Sequence, residues 1–301
     1  MPNQPDIGRI LREMAIISAA IAAGIIADIA EMDRRAKELE DQLFVALQKD
    51  MLVKLKVDEG LVENTAPNLG KVVLVDGILE KWGGKLRALV DYFSARLLAL
   101  IDSIGDYFAI GFDPVKVEKI SALNAAIYAR IGIVGTELIS GGYLDSLAKT
   151  DALKTLLKQY MLKGISGQVA LADLTEGLRL LVVGNSDAVG YLQGYFRQYA
   201  YDVFNQVREL KSLEFSEGLG LVNLIYQGSL IDTSRKFCEK RAGKVYSITD
   251  TDTWKDDPDL VEKKTKETYL PLIERGRYNC RHWIDYISQE MADYLNANQF
   301  P

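Results

Sequence analysis

The sequence predicts a mainly α protein, with an elongated multi-helix body followed by a small α+β C-terminal domain. Three observations predict it. From residue 7 to 49, apolar residues recur at steps of three or four, the helical period. Up to about residue 217 that pattern returns in runs separated by Gly, Pro and Asn. After Gly218-Leu-Gly220, short runs rich in β-formers take over. The expected division is 1–112 as an N-terminal helical region, 113–217 as a central helical region and 218–301 as the terminal domain.

The first helix carries Ile10, Met14, Ile17, Ile21, Ile25, Ile29, Met32, Ala36, Leu39, Leu43 and Leu47 on one stripe. Its steps do not hold the 3.5 repeat of a left-handed coiled coil, so packing on a partner helix or on its own chain is expected. Within it, Met14 to Ala27 is an unbroken apolar run of 14 residues, short of the roughly 20 that span a bilayer. The run is therefore expected to be buried against other helices, and membrane insertion is not expected. Residues 58–70, with Gly60, Pro67 and Asn68, mark a break. A second long helix follows from about Val72 to Ile104, with Gly83-Gly84 as a candidate interruption. Asp113-Pro114 starts a third, because Asp can cap and Pro fits the first helical position. That helix is expected to reach Ser140 and to end at Gly141-Gly142. Three further helical runs are read over 144–163, 169–183 and 186–213. In the last, Tyr191, Tyr195, Tyr199 and Val203 form a stripe beside Leu192, Phe196 and Ala200, a pattern of core or interface. Strands are expected at Leu221–Tyr226 and Lys244–Ile248.

With 301 residues and 48% hydrophobic content the chain can bury a sizeable core. A formal charge of −6 argues against a dedicated nucleic-acid binder. Two cysteines and no secretory leader at the N-terminus make a reducing, cytosolic place of synthesis the expectation.

The chemistry-bearing residues lie in the last quarter, which holds both cysteines and the single histidine. No Walker-type phosphate loop is present, and Gly218-Leu-Gly220 lacks the third glycine of a dinucleotide fingerprint. One histidine excludes His-pair metal motifs. Cys238 or Cys280 with His282 could form a nucleophile pair, but neither an oxyanion pocket nor an orienting group is evident. Cys238, Cys280 and His282 also suit zinc, with Asp232 or another carboxylate as a fourth ligand, although two small buried cysteines give the same sequence. The expectation is no cofactor and no catalytic residue. Arg235, Lys236, Lys240, Arg241 and Lys244 form a basic cluster that fits non-specific phosphate contact or a solvated face.

Ile231-Asp-Thr-Ser-Arg-Lys-Phe-Cys-Glu-Lys-Arg-Ala-Gly-Lys-Val-Tyr246, Trp254, Gly276-Arg-Tyr-Asn-Cys-Arg-His282 and Tyr286-Ile-Ser288 together resemble the C-terminal domain of Mu F-like minor head proteins, the tailed-phage head morphogenesis family. Val183-Gly-Asn-Ser-Asp-Ala-Val-Gly190 also looks like the region upstream of that domain. The likeness covers roughly residues 180–288. It implies a structural, non-enzymatic virion component present in several copies, made in the host cytoplasm and built into the head or neck near the portal. Portal and head subunits are the implied partners, with packaged double-stranded DNA as a further one; a membrane-active ejection protein and a toxin-like terminal domain are the alternatives. The motif positions carried over are Asp232, Ser234, Arg235, Cys238, Gly243, Asn279, Cys280, Arg281 and His282. Many relatives lead into Asn-Cys-Arg with a Pro-Pro-His-like segment, whereas this chain has Arg275-Gly-Arg-Tyr there and its His after the Arg. An Asp232–Arg281 pair, with the cysteines filling the space between two distant segments, would make the motif a lock that closes the domain.

Overall fold

A computed structural model describes residues 6–298, apart from 123, 135–136, 139–142, 261–265 and 278–279. Helix α1 spans Ile7–Asp50, capped by Asp6, whose carboxylate accepts the Arg9 amide at 3.0 Å. The predicted stripe is its inner face: Met14, Ile21, Ile25, Met32, Ala36, Leu39, Leu43 and Leu47 are all buried. The expectation that Met14 to Ala27 is a wholly buried run is corrected, because Ala15, Ile16, Ala19, Ala20, Ala23 and Ile26 are exposed along the opposite face. The length argument is corrected too. An 18-residue window of this helix has mean hydropathy 1.9, which is long and apolar enough to cross a membrane, a property that core helices of soluble proteins share.

A two-stranded hairpin, β1 (Val57–Asp58) with β2 (Leu61–Val62), turns on Gly60 at φ 83°. Asn68 in α2 (Ala66–Gly70) holds that turn by bonding Lys56 N, Lys56 O and Glu63 O. Helix α3 runs unbroken over Leu74–Gly111. Gly83 and Gly84 do not interrupt it, since the helix on either side holds the two adjacent glycines in place at a cost of about 1 kcal/mol each. Asp113 caps α4 (Pro114–Ser121) through the Val115 and Lys116 amides as expected. That helix stops well short of Ser140, and α5 (Ala125–Ile131) follows it. Gly132 then takes φ 79°, which ends the helix and starts the β3–β4 hairpin (Ile133–Val134, Glu137–Leu138). Gly141-Gly142 lies outside the described residues. The next expected run is two helices, α6 (Tyr143–Leu147) and α7 (Asp151–Ser166), followed by α8 (Leu171–Val182). Helix α9 (Tyr191–Leu219) starts later than expected, because Asn185 bonds the Asp187 and Ala188 amides and makes 185–188 a turn. Its buried stripe is Leu192, Phe196, Ala200, Phe204 and Val207, with Tyr191 and Tyr195 half-buried beside it.

The terminal region is α+β. Strand β5 (Asn223–Gln227) pairs antiparallel with β6 (Val245–Ser247) and with β7 (Trp283–Ile287), in the order β6-β5-β7. The first two strands match the expectation, whereas β7 is not among the expected strands. Short helices α10 (Lys236–Glu239) and α11 (Pro271–Glu274) lie between strands, and α12 (Gln289–Asn298) ends the described chain. The protein is thus mainly α with a small α+β C-terminal region.

The chain forms two compact units, each discontinuous in sequence. The first joins 1–27, 96–128 and 200–301; the second joins 28–95 and 129–199. The expected boundaries at 112/113 and 217/218 both fall inside the first unit. In that unit Phe108 stacks on Phe215 with ring centroids 4.5 Å apart. Helices come close there: a methyl on Gly111 would stand 2.8 Å from Met14 Sδ. In the second unit Trp82 donates to Leu39 O at 3.0 Å. Glu40 reaches from α1 to accept the Leu192 and Gln193 amides at 2.5 and 2.9 Å, capping α9 from a distance of 152 residues along the chain. A Cβ on Gly190 would lie within 2.5 Å of that carboxylate, so only glycine allows the cap. Burial pushes the Glu40 carboxyl up to about 7 despite both amides.

Candidate functional site

The C-terminal motif converges at one end of the small sheet. Strand β5 delivers Tyr226 to the core, and α10 delivers Cys238. A tight turn through Arg275 and Arg277, both at positive φ (49° and 65°), brings Gly276 alongside, and Cys280 and His282 lie just before β7. The result is a buried cluster: Cys238 Sγ lies 3.8 Å from Cys280 Sγ, and Cys280 Sγ lies 4.0 Å from His282 Nδ1. The Tyr226 hydroxyl bridges both sulfurs at 3.4 and 3.5 Å, and its ring stacks on His282 with centroids 5.3 Å apart. His282 Nε2 is buried with no hydrogen-bond partner among the described residues. Backbone presses in from two sides. A Cβ on Gly276 would lie 2.7 Å from Cys238 Sγ, and one on Gly228, itself at φ 127°, would lie 2.9 Å from His282 Cδ2.

The two thiols share one proton unequally. The hydrogen bond between them, then burial, pushes Cys238 up, which makes it the donor. That same bond, with His282 and the Arg275 charge nearby, draws Cys280 well down, so Cys280 carries thiolate character.

Above the cluster a cleft of about 230 Å³ is lined by Ser229, Ile231, Thr233, Ser234, Arg235 and Arg281 along with Cys238, Cys280 and His282. Ser234 shapes its wall, accepting the Ile231 amide on its hydroxyl at 2.8 Å. Arg235 reaches across to donate to Gly276 O at 2.6 Å, tying the two motif segments. Gly243, at φ 75°, makes the turn into β6 and donates to Tyr226 O at 2.8 Å.

Other expected residues stand elsewhere. Asp232 is exposed and outside the cluster, so it is no fourth ligand, and it forms no ion pair with Arg281, which is also exposed. Both side chains lie in water, where an isolated pair gains little. Asn279 lies outside the described residues. The basic cluster does not present five free cations. Arg241 is buried, pairs with Asp257 at 2.7 Å and stacks on Phe237 and Trp254, while Lys240 pairs with Asp257 and Asp259. Lys236 and Lys244 remain exposed.

A second buried polar group in the same unit has no motif behind it. Ser18 donates to Asp285 at 2.6 Å, Arg208 donates to Ser18 Oγ at 2.8 Å and lies 3.5 Å from Asp285, and Trp283 Nε1 donates to Ser18 Oγ at 2.8 Å and to Asp285 at 3.1 Å. Close by, Arg275 pairs with Glu209 at 2.6 Å. Its residues are common types spread over 267 positions, and only Asp285 inside a β-rich run hints at it.

No known family, curated protein or solved structure matches this chain.

Proposed function

We propose that this chain is a structural minor head protein of a tailed phage, acting in head assembly near the portal, with portal and head subunits as partners. The observation that carries the reading is that the motif residues converge and pack. Cys238, Cys280 and His282 form one buried cluster, and Arg235 ties α10 to Gly276. Trp254 stands edge-on to Tyr226, Phe237 and Tyr246. Residues that carry the likeness therefore act as closure of a small domain, which is what a part built into an assembly requires. The exposed face of α1, with Ile16 and Ile26 about two-thirds accessible, supplies an apolar surface suited to a neighbouring subunit. With Lys240 and Arg241 neutralised, contact with packaged DNA falls to Lys236 and Lys244, and protein partners dominate. The test is location. Antibody or mass-spectrometric detection in purified virions and procapsids is expected to find the chain in a few copies per head, and its absence from both would sink the reading.

The α1 window also supports membrane activity during genome ejection as a second reading. Binding of the full chain to anionic vesicles would favour it, and no binding removes it.

A further inference from the structure

We infer that Cys238, Cys280 and His282 form an open zinc site: three protein ligands at the base of the cleft, with the fourth position left to water or an exchangeable anion. The inference stands on local geometry and not on the assembly reading.

The two sulfurs already lie where a tetrahedral ion needs them, and His282 Nδ1, 4.0 Å from Cys280 Sγ, has only about half an ångström to close. With Zn–S bonds of about 2.3 Å, two thiolates of one tetrahedral zinc sit about 3.8 Å apart. The two sulfurs are 3.8 Å apart. The two thiolates and a ring nitrogen of His282 lie within 4.8 Å of one another, all three residues buried. One cation among them would bind both sulfurs and His282 Nδ1, the ring nitrogen that faces Cys280 Sγ. Tyr226, in reach of both sulfurs, is placed as the outer hydrogen-bond donor that orients thiolate ligands.

The openness follows from what lines the cleft. Apart from the three ligands its wall offers hydroxyls, an isoleucine and two arginines, and Asp232 stands outside the metal-ligating group. A closed structural zinc takes four protein ligands, whereas three ligands and a cleft leave one position for a small molecule. Two thiolates and a neutral imidazole balance the ion's charge, so Arg235 and Arg281 bias that position toward an anion.

The full chain, purified under reducing conditions, stripped by chelation and reloaded with zinc, tests this by metal counting after gel filtration. One zinc per chain is expected. Tyr226→Phe is expected to lower zinc affinity by about tenfold and Cys280→Ser by more. A wild-type chain that is folded by circular dichroism and retains no zinc overturns the site. Because Cys280→Ser could misfold, the wild-type chain loaded with cobalt(II) gives an independent reading: the intense visible band of four-coordinate thiolate ligation is expected, and its absence counts against the site. Azide is expected to shift that band. A spectrum unmoved by azide would show that the protein supplies the fourth ligand, and would overturn the open position.

Discussion

Two buried polar clusters in the same unit differ in how they are built and in how visible they are. The Cys238, Cys280 and His282 group uses rare residue types from two short segments, and its members touch through soft, neutral or shared-proton contacts. The Ser18, Arg208, Glu209, Arg275 and Asp285 group uses common charged residues from α1, α9, the 275–277 turn and β7. The first can be found by scanning for unusual side chains. The second exists only once helices and sheet have packed, yet it carries the larger energies, because charge buried without its partner is costly. A motif marks what is distinctive, and the larger energies of the same unit lie in residues that no motif marks.

Breaking the charged cluster is expected to give the largest effect. Asp285→Ala strands the buried Arg208 guanidinium and is expected to cost about 3–5 kcal/mol, read as a lowered midpoint in denaturant followed by tryptophan fluorescence. The paired replacement Arg208→Met with Asp285→Leu removes both charges and is expected to recover most of that loss. Recovery by the double variant sharpens the contrast; equal damage in both variants erases it.

The same cluster sets a pH dependence of its own, through Glu209. Burial raises the Glu209 carboxyl from 4.5 to about 7. Burial alone would lower Arg275, but the Glu209 charge and hydrogen bond, together with Cys280 and Tyr226, outweigh it and leave Arg275 raised, so the pair does attract. Burial still prevails on the carboxyl, whose Oε2 has no hydrogen-bond partner among the described residues. A carboxyl raised on folding binds its proton more tightly in the folded state, so its contribution is full below about 4.5 and is lost as pH rises through about 7. Stability is expected to fall across that window by at most about 3 kcal/mol from this group, with Glu40 in the second unit adding in the same direction. Melting temperatures taken from pH 4.5 to 7.5 test it, and Glu209→Gln is expected to flatten the slope. A slope that rises with pH would contradict the assignment.

These differences explain what the sequence disclosed. The helical stripe of α1, the Asp113 cap and strands β5 and β6 follow from local periodicity and capping chemistry, which act within a few residues. Strand β7 escaped because Asp285 interrupts its apolar run in the sequence, whereas the fold buries Ile284–Ile287 throughout. The cap that Glu40 gives α9 escaped because its partners lie 152 residues away. In the site, Cys238, Cys280 and His282 were legible by type, whereas Tyr226 was not, since a tyrosine in a strand is ordinary. Asp232 was misplaced because its spacing along the chain says nothing of which way the 231–234 turn faces.

Gly276→Ala probes the closure directly. Gly276 is not at positive φ, so the added methyl meets no backbone strain and acts through space alone. It would stand 2.7 Å from Cys238 Sγ and 3.0 Å from Cys280 Sγ, and overpacking of this kind costs about 1–3 kcal/mol. The smallest effect belongs to Arg235. Its bond to Gly276 O, made by a half-exposed side chain, is worth about 1 kcal/mol, so Arg235→Gln is expected to lower stability by at least about that amount. The two variants press on the same carbonyl-bearing residue from opposite sides. If the closure is one cooperative unit, the double variant costs less than the sum, because the shifted turn has already weakened the Arg235 bond. Strict additivity in denaturant midpoints would mean that the two segments are held independently.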